Sequence, residues 1–412
     1  METSTLFIII LIIIIGQYLF DTTLSILNNK NRNAPIPKSL QDLYSKEEYE
    51  KSQNYGKENN TIGIISNTFS TLITVILFYT GAFGALDQWI GQYTTHYILQ
   101  PLLFLGVLGM GSSLLGIPFS YYATFVIEEK YQFNRSTKKT FILDAIKGLL
   151  LSGLFIGGIL SQIILLYHTI GENFYIFAFI VIVGFSLIMT FFYSSIIVPL
   201  FNKQTPLEEG ELKQGIMDFA KKAEFPIKEI YVMDGSKRSA KANAYFTGFG
   251  KRKRIVLFDT LIDQLDQEEI IAVLAHEVGH AKKRHVIQSM IFSWIQTFVI
   301  LYIFSLILNQ PTSSHVMGSS QHTFELSLLL FSFLLSPVTE VLSAISSIFS
   351  RKNEYEADNF VKKYKLKDAI ISGLKKISKN SLSNLTPHPW VVACTYSHPT
   401  LEQRIDNLNQ KD

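Results

Sequence analysis

The chain has 412 residues, of which 48% are hydrophobic, 13% aromatic and only 17% charged. Soluble domains usually carry about 25% charged residues, so the deficit excludes an ordinary soluble enzyme and points to a membrane protein. A formal net charge of +3, with basic residues in short clusters beside apolar segments, gives no case for nucleic-acid binding. The single cysteine, Cys394, excludes an internal disulfide.

Seven apolar stretches reach the ~20 residues that a helix needs to span a bilayer. They lie near 5–27, 62–86, 99–127, 141–168, 173–200, 286–309 and 323–349. The first has no positive flank and no small-residue cleavage site, so it reads as a retained anchor rather than a signal peptide. Residues 28–61 are polar and read as a connection along the membrane surface. Lys and Arg populate the segments after the first and third stretches, the loop 201–285 and the tail 350–412. The loops 87–98, 169–172 and 310–322 contain none. Under the positive-inside rule this alternation puts the N-terminus in the lumen, and the 201–285 loop and C-terminus in the cytosol. Four units follow: 1–200 with five spans, a soluble insertion at 201–285, spans six and seven at 286–349, and a C-terminal segment at 350–412.

Within the insertion, Pro206–Glu211 looks like an acidic helix start, and the helix runs to about Glu224. Lys228–Met233, Ala244–Thr247 and Arg254–Phe258 alternate like strands, the last two joined by a turn with Gly248 and Gly250. The basic run Lys251–Arg254 reads as a solvated hairpin tip, or as an attractor for anionic headgroups or a carboxylate terminus. Helices near 260–266 and 267–284 follow.

The second of these helices carries His276-Glu277-Val278-Gly279-His280. Residues four apart share a helix face, so His276 and His280 can hold one Zn²⁺ while Glu277 reaches its open position as general base. Two histidines leave a catalytic zinc one protein ligand short. The candidate third ligand is Glu354, on a helical stretch over 352–364. Asp358 lies one turn on, placed to orient a liganding imidazole, and Glu356 points elsewhere. His285, five residues after His280, falls off the ligand face and reads as interfacial. His96, His168, His315 and His322 belong to the lumenal side. His398, in Ser397-His398-Pro399, could donate a hydrogen bond to a tetrahedral oxyanion, and Arg404 could pair with Asp358.

The chain resembles the type I CAAX prenyl endopeptidases, seven-span zinc metalloproteases of the endoplasmic reticulum and inner nuclear membranes. The resemblance is carried by Pro199–Lys203, Thr205–Leu207, Asn243–Gly248, Arg254–Leu261, His276–His280, Glu354–Asp358, Ser397–Pro399 and Glu129–Asn134. It implies a mostly α fold: a ring of tilted membrane helices around a large chamber, capped by a cytosolic protease domain with a small β-sheet. It also implies removal of the last three residues of prenylated CAAX proteins, with an upstream second cut in some members. One Zn²⁺ per chain and a lipid environment come with it. Asn243, Ala244 and Tyr245 would then form an edge strand that pairs with extended substrate. A membrane quality-control zinc protease acting on unfolded or stalled proteins is the competing expectation. A non-enzymatic transporter or scaffold is a third, and it needs the acids and His398 to be coincidences.

Overall fold

The computed structural model describes residues 2–247, 254–308, 310 and 312–410. The expected turn at Gly248 and Gly250 and most of the basic run, Lys251–Lys253, lie outside the described residues.

The N-terminal half is helical: α1 (Thr3–Asn31), α2 (Lys46–Tyr79), α3 (Ala82–Gly91), α4 (Leu99–Tyr122), α5 (Lys138–Ile170) and α6 (Phe174–Phe192). The protease unit adds α7 (Glu211–Lys222), α8 (Asp259–Gln264) and α9 (Gln267–Lys282). Then come α10 (His285–Leu308), α11 (Thr312–Val316) and the long α12 (Phe324–Lys363). α13 (Lys367–Asn380), α14 (Pro389–Thr395) and α15 (Leu401–Asn409) close the chain.

Six continuous helical stretches are long and apolar enough to cross a membrane, rather than the expected seven. The difference lies at Lys138–Leu200, a stretch of 63 residues that holds both the fourth and fifth expected segments. α5 and α6 are joined there by one helical turn, Gly171–Asn173, instead of a loop. A second departure concerns residues 28–61. Ser45 and Glu48 form a capping box, which starts α2 at Lys46 and makes the polar residues 46–61 the first turns of a membrane helix.

α1, α2, α4, α5, α6, α10 and α12 pack in that order, and α12 returns to α1, so the helices close a ring. Between 6% and 17% of each apolar window is buried. A solid bundle would bury each helix along a broad face; these values describe helices that meet mainly their ring neighbours, with one further contact between α4 and α12. One end of the ring is plugged by α3 and α11, which pack Phe83, Ile90, Val316 and Met317 into one apolar cluster.

The other end carries a four-stranded sheet of β1 (Gln204–Pro206), β2 (Glu229–Met233), β3 (Ala244–Thr247) and β4 (Arg254–Phe258). Their order is β1-β2-β4-β3, with β2 and β4 parallel and β3 on an edge. The expected helix start at Pro206 is instead the end of β1. Pro206 lacks an N–H but sits on an edge strand where none is needed, and the helix begins at Glu211. Ile216, Ile255, Leu257, Leu274, Val278 and Val361 form the core that joins the sheet, α7, α9 and the end of α12.

Candidate active site

Asp266 caps α9, and Glu269 completes the capping box. This fixes the start of the helix that carries His276, Glu277 and His280. α9 crosses the polar end of α12 at Gly279. A Cβ there would meet the Ala357 Cα and the Phe360 Cβ at 3.1 Å each. Only a residue without a side chain lets the two helices approach so closely, and the approach sets Glu354 beside the two histidines.

The His276 and His280 Nε2 atoms are 3.1 Å apart. Glu354 Oε2 is 3.3 Å from His276 Nε2, and Oε1 is 3.2 Å from His280 Nε2. A tetrahedral ion with bonds of ~2.1 Å separates its ligand atoms by roughly 3.4 Å. Glu354 is 4% exposed, and its Oε2 has no hydrogen-bond partner. Arg404 Nη1 lies 3.7 Å from the same oxygen; a buried carboxylate oxygen without a hydrogen bond is costly, and a cation among these three donors would satisfy it. Among the described residues this is the group whose donors could hold a metal ion.

The remote nitrogens of both imidazoles are also occupied. His276 Nδ1 lies 2.9 Å from Asp358 Oδ1. Arg404 donates to the same carboxylate through Nε at 2.9 Å and Nη2 at 2.6 Å. Arg404 Nη2 also comes within 3.2 Å of His276 Nδ1. Both nitrogens would be donors there, so the hydrogen bond that counts is His276 Nδ1–H to Asp358. Burial by itself lowers the His276 pKa, but hydrogen bonding to Asp358 and Glu354 outweighs it and holds the imidazole above its ordinary value. For Arg404, burial again opposes the charge, and pairing with Asp358 overcomes it.

His285 opens the membrane helix α10 and is not one of the three ligand donors. What its spacing did not show is that it is 3% exposed, with Nδ1 2.9 Å from His280 Nδ1. Its Nε2 faces Glu356 Oε2 at 3.5 Å. With His280 Nε2 turned toward Glu354, His280 Nδ1–H donates to His285, and His285 Nε2–H points at Glu356.

Glu277 is half-buried and makes no hydrogen bond or ion pair with the described residues, while its charge lies within electrostatic reach of Arg404. His398 is exposed, with Nε2 3.4 Å from Glu354 Oε1 and Nδ1 2.9 Å from Ser397 Oγ. β3 begins at Ala244. Asn243 precedes it, and its carbonyl accepts from Phe258 N at 3.1 Å. The Tyr245 hydroxyl meets Ser194 and Gln204, each at 3.2 Å, and lines a cavity of about 620 Å³ between β3 and the end of α6. His96, His168 and His322 take part in none of this. His168 packs on Tyr97, and His322 faces Ser314 near the plugged end.

Residues 25–203 match the family described as "CAAX prenyl protease N-terminal, five membrane helices", and residues 206–412 match "Peptidase family M48". The chain is 35% identical to a CAAX prenyl protease 1 homolog of Oryza sativa, covering 98% of this chain and 97% of that protein. The chain belongs to the CAAX prenyl proteases of peptidase family M48. It is also 33% identical to CAAX prenyl protease 1 of Saccharomyces cerevisiae, over 96% of this chain and 93% of that one. The crystal structure of S. mikatae Ste24p superposes with a TM-score of 0.94 at 32% identity, covering 98% of this chain and 99% of that chain. The fold is thus the family's hollow membrane-helix architecture, and the protein is a membrane metalloendopeptidase.

Proposed function

We propose that this enzyme is a zinc-dependent endopeptidase that removes the C-terminal aaX tripeptide from prenylated CAAX proteins. The observation that carries the reading is the trio of donor atoms on His276, His280 and Glu354 beside Glu277, whose carboxylate makes no hydrogen bond with the described residues, held at the mouth of an apolar helix ring. Two histidines and a glutamate are a zinc donor set. When bound, zinc polarises the scissile carbonyl and brings a water's pKa down to about 7.

Glu277 takes the proton of the attacking water and delivers it to the leaving amine. His398 donates a hydrogen bond to the oxygen that gains charge. Asp358, itself held by Arg404, fixes the His276 tautomer that presents Nε2 to the metal. The free edge of β3, from Asn243 to Tyr245, pairs with the extended substrate. The prenyl chain belongs in the apolar ring, where each buried CH₂ contributes about 0.8 kcal/mol. The Lys and Arg distribution supports a site that faces the cytosol, and the resemblance to the family is what suggests the endoplasmic reticulum or inner nuclear membrane.

Cleavage of one CAAX peptide in farnesylated and unmodified forms tests this, with metal content measured on the same sample. The expected result is one zinc per chain and turnover of the farnesylated form alone. Equal cutting of both forms would favour a quality-control protease.

A further inference from the structure

A second cavity, of about 550 Å³, opens between α10, α12 and α14 beside the metal group. That is within the ~300–1,000 Å³ range of ligand clefts. Ser343, Ser346, Ser347 and Ser350 line one wall. Their spacing of three, four and seven residues puts them on one face of α12. Gln288 and Ser289 of α10 face them, and Asn353 and Ser397 lie at the inner end. Asn353 is the residue before Glu354, and Ser397 Oγ bonds His398 Nδ1. The cleft therefore runs into the site at two places.

Its lining selects a chemistry. No Lys, Arg, Asp or Glu lines it, so neither an anion nor a cation is its natural ligand. Phe292 and Phe349 add an apolar side to the cleft, while its hydroxyls and amides suit the alternating donors and acceptors of a peptide backbone. Ser347 is 7% exposed, and its hydroxyl lies on the cleft wall.

We infer that this cleft receives the polypeptide upstream of the prenylated cysteine. The inference rests on the prenyl-protease reading above. A CAAX sequence ends a folded protein whose body cannot enter the helix ring. The chain upstream of the cysteine must therefore leave the site through an opening at its own level. The Tyr245 cavity is a poor candidate for this route, because Met189, Val198, Phe201, Met233 and Phe258 make it apolar. It suits the aliphatic residues of the tripeptide, while the serine-lined cleft accepts any upstream sequence through its backbone.

The test uses the zinc-loaded full chain with two farnesylated CAAX peptides, one starting at the cysteine and one carrying several upstream residues. Ser346→Phe narrows the cleft. It should raise KM for the extended peptide about tenfold more than for the short one, with kcat little changed. A KM ratio that stays at the wild-type value sinks the cleft assignment. A second measurement needs no turnover and no altered cleft. The extended peptide, with a diazirine upstream of the cysteine, is crosslinked to the Glu277→Gln protein. Label on residues 288–292 or 343–353 supports the inference, and label on 189–201 overturns it. Failure of the wild-type enzyme to cut either farnesylated peptide would instead defeat the prenyl-protease reading.

Discussion

Glu354 Oε2, buried and without a hydrogen bond, is the atom on which the metal reading turns, and substitutions around it separate ligand from base. His276→Ala or His280→Ala removes a ligand and should abolish both metal binding and turnover. Glu277→Gln removes no ligand. Zinc content should stay at one per chain while turnover falls at least about 10²-fold, the scale of a lost general base; wild-type cleavage by that variant would exclude the role. Asp358→Asn should weaken zinc about 10–100-fold through the freed His276 tautomer, read by competition with a chelator. The same logic extends to His285, whose Nδ1 sits 2.9 Å from His280 Nδ1. His285→Phe keeps the volume but loses the acceptor, so a similar loss of zinc affinity is expected. Unchanged affinity would reduce His285 to packing. His285 shows where sequence reading stops. The spacing of His276, His280, Glu354 and Asp358 was legible because each pair lies within one helix. His285 follows Arg284, whose φ of 59° breaks the helix, so counting 100° per residue across that break could not show that the ring meets the remote nitrogen of His280.

At the scale of elements, the site depends on how closely α9 crosses α12. Gly279 sits at the crossing, with the Ala357 Cα and the Phe360 Cβ each 3.1 Å from where its Cβ would be. Gly279→Ala pushes backbone rather than a flexible side chain. It should cost about 1–3 kcal/mol as overpacking, seen as a lower Tm. It should also loosen zinc, because the separation moves Glu354 from the histidines. A variant with wild-type Tm and zinc affinity would show that the helices have slack. The pentapeptide named the histidines and the base, but the contact partner of Gly279 lies far along the chain and no local pattern reveals it. β3 and β4 were readable from alternation, with bounds at Ala244–Thr247 and Arg254–Phe258. β1 was not, because three residues ending in proline carry no period and pair only through β2.

For the whole molecule, length and apolar runs announce membrane helices, but a ring differs from a bundle in which helices touch. Only a polar residue deep in a span hints at the difference, and Glu340 is that residue. α12 runs unbroken through Pro337. The carbonyl of Phe333, deprived of its usual partner by the missing proline N–H, accepts from Ser336 Oγ at 3.0 Å instead. The helix therefore stays continuous, and Glu340 lies ten residues before Ser350, about 15 Å along the axis. That is about half the ~30 Å hydrocarbon thickness. Glu340 is exposed and makes no hydrogen bond or ion pair with the described residues. A carboxylate facing lipid at that depth costs several kcal/mol, so the side chain is expected to face water inside the ring. Glu340→Cys should react with a small aqueous thiol reagent in the intact, active protein, at a rate near that of an exposed cysteine placed at Glu209. A Glu340→Cys thiol that stays inert in an active protein would mean that the ring holds no water at this level.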